Sequence, residues 1–320
     1  MDEYEFFSEV MDSILDYLPD EYSSAEVTME QVTKNNDQVL HGLVIKREGE
    51  TTVPIIYLEG YYGDLVKGKE LEYIMDDIAK QYLKYREGRE AFSVPDLNFD
   101  SIKGDLRVRL VNTTTNTELL RNVISKPVEC GFSLVPYLDI QMGEGAGGMI
   151  QITKKMSESF GYDEKEIMKS AITGSLINTE PVLYRIEEVL FGSSFEPEPE
   201  NLLQTVKRDD SLSGLMVLSN KEMELGSAAL FFPGMQMRIS EVIGDKDYYV
   251  LPSSVHELLV IPDTGDHNAK SLAKMVQDVN RSSVPPEERL GDKVLHYRAD
   301  LERLSVAVDL EKETNREYAR

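Results

Sequence analysis

"GFSLVPYLDIQMGEGAGGMIQIT", residues 131–153, decides how the middle of this chain is read. Gly143, Gly145 and Gly148 satisfy G-x-G-x-x-G letter by letter, the spacing that cradles a pyrophosphate where a strand turns directly into a helix. The residues after Gly148 do not open a helix. Met149, Ile150, Gln151, Ile152 and Thr153 continue as a β-like run, so no helix N-terminus faces the loop. The Lys-Ser/Thr pair of a P-loop is missing, and Glu144 sets a negative charge where phosphates would lie. Strand, glycine-rich turn, strand is a β-hairpin whose glycines supply positive φ. No cofactor is expected.

Working outward, apolar residues Phe6, Phe7, Val10, Met11, Ile14, Leu15 and Leu18 recur at helical spacing and predict an amphipathic helix over residues 3–18, ended at Pro19. "SAEVTMEQVTK" and "VLHGLVIKREG" read as two strands about the turn residues Asn35, Asn36 and Asp37, with "TTVPIIYL" as a third. Leu71, Ile74, Met75, Ile78, Ala79, Tyr82 and Leu83 mark a second long helix. Beyond it, "DLRVRLVN" alternates as a strand and "NTELLRNVI" reads as a short helix. "KKMSESFG" and "DEKEIMKSAITGSL" read as further helices, the second capped by Asp163.

Past "FGSSFEPEPEN", an acidic and proline-punctuated connection, strands are expected in "LMVLSN", "SAALFF", "DYYVL" and "HELLVIP". Helices are expected at about 234–243 and 268–280, with Asp266 or Asn268 capping the latter, and "KVLHYR" reads as a last strand or turn. The fold class is therefore α+β, mainly antiparallel sheets flanked by helices, in two or three subdomains. Its divisions are an acidic N-terminal α/β unit at 1–90, a middle unit at 95–192 carrying the hairpin, a linker at 193–201, a C-terminal unit at 202–305 and a charged tail at 306–320.

Of the 320 residues 41% are hydrophobic, enough for real cores. The single cysteine, Cys130, excludes an intramolecular disulfide, and no apolar run has the length of a membrane helix. The N-terminus is acidic where a signal peptide would be basic, and a cytoplasmic location is expected. The net charge of −24 is uneven: the first hundred residues carry 23 acids against nine bases, and the first thirty hold ten acids and no base. Such a surface repels nucleic acid and anionic membrane and suits a protein partner with a basic surface.

The densest collection of reactive side chains is "LPSSVHELLVIPDTGDHN", residues 251–268. Ser253 or Ser254, His256 and Glu257 can be written as nucleophile, base and orienting acid, with Asp263 or Asp266 nearby. Strand alternation puts Ser254 and His256 on one face and Glu257 on the other, so a plain strand does not assemble the three. The stretch has no G-x-S-x-G elbow, and Val260 stands where H-E-x-x-H needs its second histidine. The competing reading is a bend whose serine hydroxyls satisfy backbone groups. His41 and His296 lie far apart with no partner at ligand spacing, and "PDTGDHN" lacks a calcium-loop register, so no metal site is expected. The paired tyrosines of "EGYYGD", with no basic residues between them, read as core or interface residues.

The runs "PIIYLEGYYGDLVKGKELEYIMDDI", "LRVRLVNTTTNTELLRNV", "YVLPSSVHELLVIPDTGD" and "LAKMVQDVNRSSVPPEERLGDKVLHY", in this order, resemble a family of bacterial proteins of unknown function, domain of unknown function 5688, common in anaerobic gut Firmicutes. The likeness spans about residues 5–305 and implies a bacterial cytoplasmic protein, but it brings no catalytic or binding role. Three readings of function remain. The first is a non-enzymatic protein-binding or adapter role through the acidic surface. The second is a hydrolase built on Ser254, His256 and Glu257, and the third an acidic decoy for a DNA-binding partner.

Overall fold

The acidic N-terminus starts a helix because Asp2 caps it. The Asp2 carboxylate accepts from the Glu5 N–H at 2.9 Å, and the Glu5 carboxylate accepts from the Asp2 N–H, a reciprocal capping box. Helix α1 runs Glu3–Ser13 and tightens into a 3-10 turn over Ile14–Tyr17, so the helix expected to residue 18 ends in a narrower turn. The computed structural model describes residues 1–50, 53–87, 98–142, 146–191, 199–205 and 214–310. Backbone packing divides the chain into two units, Met1–Leu97 with Ile140–Gly148, and Asn98–Asp139 with Met149–Arg320.

In the first unit, strands β1 (Glu26–Thr33), β2 (Val39–Lys46) and β3 (Ile55–Tyr57) form an antiparallel sheet in that order. The turn between β1 and β2 holds Asn36 and Asp37 at φ 60° and 51°, the left-handed region these two residue types tolerate. Helices α2 (Glu59–Val66) and α3 (Leu71–Glu87) come after β3. Phe6 and Val10 of α1, Leu43 and Ile45 of β2, and Ile74 and Ile78 of α3 belong to one buried cluster. Tyr82 of α3 joins them, its hydroxyl donating to the Ile45 carbonyl at 2.9 Å, and burial pushes this phenol up to about 12. The helical face read at Leu71–Leu83 is thus the face that meets the sheet.

The second unit opens with α4 (Phe99–Ile102), β4 (Leu106–Asn112), α5 (Thr117–Asn122) and β5 (Lys126–Val128). Strands β6 (Phe132–Met142) and β7 (Ala146–Gln151) come next and pair with each other, their shared end, Ile140–Gly148, being counted with the first unit. That is the strand–turn–strand reading of the glycine-rich stretch, although Gly143, Glu144 and Gly145 lie outside the described residues. The chain continues through helices α6 (Lys154–Phe160) and α7 (Glu164–Asn178), then β8 (Pro181–Arg185), α8 (Ile186–Phe191), β9 (Met216–Asn220), α9 (Met235–Val242), β10 (Tyr248–Leu251) and β11 (Leu258–Pro262). Helix α10 (Ala269–Ser283), β12 (Lys293–Arg298) and β13 (Arg303–Asp309) complete the unit. One sheet has the order β4-β6-β5 with β7 beside β6, and a second, antiparallel throughout, has the order β13-β12-β10-β11-β9-β8. Leu272, Ala273 and Val276 of α10 cluster with Leu251, Ile261 and Val294 of that sheet.

Two sheet edges are closed by side chains. The Val108 N–H of β4 donates to Ser175 Oγ of α7 at 2.9 Å. Gly174 allows that approach, since a Cβ there would stand 2.2 Å from the Leu106 carbonyl oxygen. On β8 the Leu183 N–H donates to Asn201 Oδ1, and Asn201 Nδ2 donates to the Pro181 carbonyl, both at 3.1 Å. Edge backbone that would otherwise recruit another chain is occupied at both places.

Three expectations are revised. "SAALFF", expected as a strand, lies in a 3-10 helix over Gly226–Phe231; a fully buried apolar run has no periodicity to separate the two. "EGYYGD", whose tyrosines are expected as core or interface residues, opens α2, and Tyr61 and Tyr62 do pack on the first unit's core. "DLRVRLVN", expected to alternate, is buried at every position of β4. The tail expected from 306 is part of β13 as far as Asp309, where Leu304, Val306 and Val308 alternate among polar and small residues. The linker expected at 193–201 falls largely outside the described residues; β8 and β9 pair across it, so the blocks on its two sides share a sheet.

Candidate functional site

The stretch 251–268 leaves β10 at Leu251, bends, and enters β11 at Leu258. The bend is fastened to the segment after α10: Val255 N–H donates to the Glu288 carbonyl at 2.8 Å, and Leu290 N–H donates to the Ser253 carbonyl at 3.1 Å. Ser254 forms an isolated bridge with Arg289. Ser253 and Ser254 are both buried. Ser254 Oγ accepts from the His256 N–H at 3.0 Å, the local serine turn that competes with regular structure.

His256 is held at three points. Its carbonyl accepts from Ser219 Oγ at 2.8 Å and from the Gly226 N–H at 2.9 Å. Its Nδ1 accepts from the Leu225 N–H at 3.3 Å, which places the ring proton on Nε2. Nε2 faces Glu288 Oε1 at 3.5 Å. The acid opposite the ring is therefore Glu288, and the lone pair that a general base needs is taken by a backbone amide. Glu257 keeps its proton more tightly than an ordinary glutamate, because burial raises it; the His256 ring opposes this and Glu288 adds to it. Ser254, His256 and Glu257 are neighbours, but the contacts do not make them nucleophile, base and orienter.

A second histidine–carboxylate pair lies at the other end of β11, and sequence spacing does not disclose it. His296 Nε2 meets Asp263 Oδ2 at 3.0 Å across 33 residues of chain, and the Tyr249 ring stacks on His296 with centroids 4.6 Å apart. The antiparallel ladder brings them together by setting Tyr249 opposite His296 on adjacent strands. Asp263 Oδ1 accepts from the Gly265 N–H at 2.9 Å, and burial followed by the Asp263 charge raises the Tyr249 phenol. Asn268, not Asp266, caps α10, accepting from the Lys270 N–H at 2.9 Å. Among the described residues no three His, Cys, Asp or Glu side chains are grouped to hold a metal ion.

The first unit presents different chemistry. Of the ten acids in residues 1–30, all but Glu3 are exposed. Glu21 meets Arg47 at 3.3 Å, Glu5 lies 4.0 Å from the N-terminal amine, and the other eight make no ion pair among the described residues. Tyr4, 78% exposed, and Tyr17 stand among them. His41 is engaged with Glu59, whose Oε1 lies 3.1 Å from Nδ1 and accepts from the His41 N–H. Exposed carboxylates with aromatic rings between them can hold a cationic surface.

Among the described residues no helix is long and apolar enough to cross a membrane. No curated protein and no solved structure matches the chain. The model of the family described as "Family of unknown function (DUF5688)" matches residues 3–299, and the chain belongs to that family.

Proposed function

We propose that this chain is a binding or adapter protein that docks a basic protein surface on the acidic, tyrosine-bearing face of α1. The observation that carries the reading is the charge of residues 1–30: ten acids, no base, and, among the described residues, a single carboxylate, Glu21, paired with a basic side chain. Self-repulsion among such groups costs stability, and a cationic partner relieves it. Tyr4 and Tyr17 supply aromatic area of the kind that dominates interface energetics, at little entropic cost. The Asp2–Glu5 capping box fixes the helix start, so the face is presented before a partner arrives.

Association steered by such a face is fast and sensitive to ionic strength. The test is capture of partners from a cytosolic extract on the full chain, at low and high salt, in parallel with Glu9→Gln/Asp12→Asn/Asp16→Asn. The reading expects a basic protein retained by the wild type, released by salt and not retained by the variant. Identical capture by both chains would refute it.

A further inference from the structure

The six-stranded sheet of the second unit ends in β8 on one side and β13 on the other, and among the described residues side chains close only the β8 edge. Asn201 bonds both to the Leu183 N–H and to the Pro181 carbonyl on β8, as Ser175 bonds to β4 in the neighbouring sheet. Along β13 no comparable bond is made over Arg303–Val306 among the described residues; the Ser305 hydroxyl turns inward to the His296 carbonyl at 3.4 Å. In an antiparallel strand every second residue directs its N–H and C=O away from its partner. With β12 on one side only, β13 therefore offers outward donors and acceptors to water.

Beside this edge lies a groove of about 500 Å³, within the size range of ligand sites. Leu304 and Val306 of β13, Gln236 of α9 and Cys130 line it, with Glu129 and Glu302. The two glutamates and Arg303 are exposed and make no ion pair among the described residues, and the Lys293 amine lies buried behind the Cys130 carbonyl, so at the groove surface two carboxylates stand against one guanidinium. The register between β12 and β13 shifts at Val294/Leu295, so Ala307 drops out of the ladder. That bulge ends the regular edge and confines pairing to Arg303–Val306.

We propose that the edge of β13 over Arg303–Val306 takes an extended segment of a partner protein as an added strand, the segment carrying apolar residues at alternate positions and a lysine or arginine. Backbone bonds to β13 supply the affinity, the exposed Val306, beside the buried Leu304, takes an apolar side chain, and Glu129 and Glu302 select the cation. The surface belongs to the second unit and does not rest on the reading of α1.

The probe is a fluorescent acetyl-Lys-Val-Thr-Val-Lys-Val amide, titrated by anisotropy into the full chain. Two control peptides accompany it, one N-methylated at alternate residues and one with Glu in place of Lys. Saturable binding of the probe is expected, with no binding of the N-methylated peptide and affinity about tenfold weaker for the Glu peptide. Glu129→Gln/Glu302→Gln changes only exposed side chains and should weaken binding severalfold while leaving thermal unfolding unchanged. Of Ser305→Pro and Val306→Pro, whichever removes an outward donor should stay folded and lose binding. Glu9→Gln/Asp12→Asn/Asp16→Asn should bind the probe like wild type, and its failure to do so would transfer the binding to α1. Absent saturation, equal binding of the N-methylated peptide, or an unchanged affinity in the glutamine variant would overturn the proposal. So would sedimentation showing self-association that these proline variants abolish, which would make the occupant a second copy.

Discussion

Replacing Arg109 by methionine is expected to stabilise the second unit. Arg109 sits in the middle of β4, 5% exposed, and its Nε and Nη2 have no hydrogen-bond partner among the described residues. Burial lowers its guanidinium from its ordinary value to about 10, with the neighbouring Tyr137 opposing the shift. At about 1.4 kcal/mol per decade of proton affinity, holding the charge there costs about 3 kcal/mol at neutral pH. The group is charged in both folded and unfolded chains below about pH 10, so the whole penalty is present at pH 7. Above about pH 10 and below the ordinary guanidinium range the unfolded chain binds more protons, and stability from this source rises with pH. Methionine keeps most of the buried stem and removes the charge, an exchange that is neutral to stabilising in cores. A gain of about 1–3 kcal/mol is expected, read as a higher urea midpoint at unchanged slope. Arg109→Ala should gain less because it leaves a cavity. A loss of more than about 1 kcal/mol in the methionine variant would mean that the guanidinium is satisfied in the folded chain, and the reasoning would fail.

Ser175→Ala strips the acceptor from the Val108 N–H and leaves a buried donor unpaired, so a loss of about 1–3 kcal/mol is expected by denaturant titration. Asn268→Ala removes the α10 cap and should cost about 1 kcal/mol, visible as earlier amide exchange in the first turn of that helix. Ser254→Ala deletes one local bond to the His256 N–H and should cost no more than about 1 kcal/mol. In a screen of ester, amide and phosphoester substrates, His256→Ala should match wild type; turnover lost in the variant would show that the ring is free to act as a base.

The elements that sequence discloses are those with a period or a cap. Leu71–Leu83 carries the 3.6-residue repeat that α3 buries, and Asp163 and Asn268 stand where helix starts require them. Elements without such marks stay hidden. Gly226–Phe231 is apolar at almost every position and fully enclosed over its first five residues, so neither period applies. The Gly60 and Gly63 backbones obscure α2, and the charged run that follows Asp309 disguises the end of β13 as tail. Site chemistry is still less legible. The acid facing the His256 ring is Glu288, and Asp263 meets His296, both set by ladder register and loop packing that no local spacing encodes. The crowding of Ser254, His256 and Glu257 in the sequence, by contrast, reflects backbone bonding in a bend.

The most direct test of the docking surface is carboxylate-to-lysine crosslinking of the full chain with its captured partner, mapped by mass spectrometry. The account predicts crosslinks from Glu9, Asp12, Asp16 and Asp20 to lysines of the partner, absent when the complex is formed in high salt. Crosslinks confined to carboxylates elsewhere in the chain, with residues 1–30 unreacted, would contradict it.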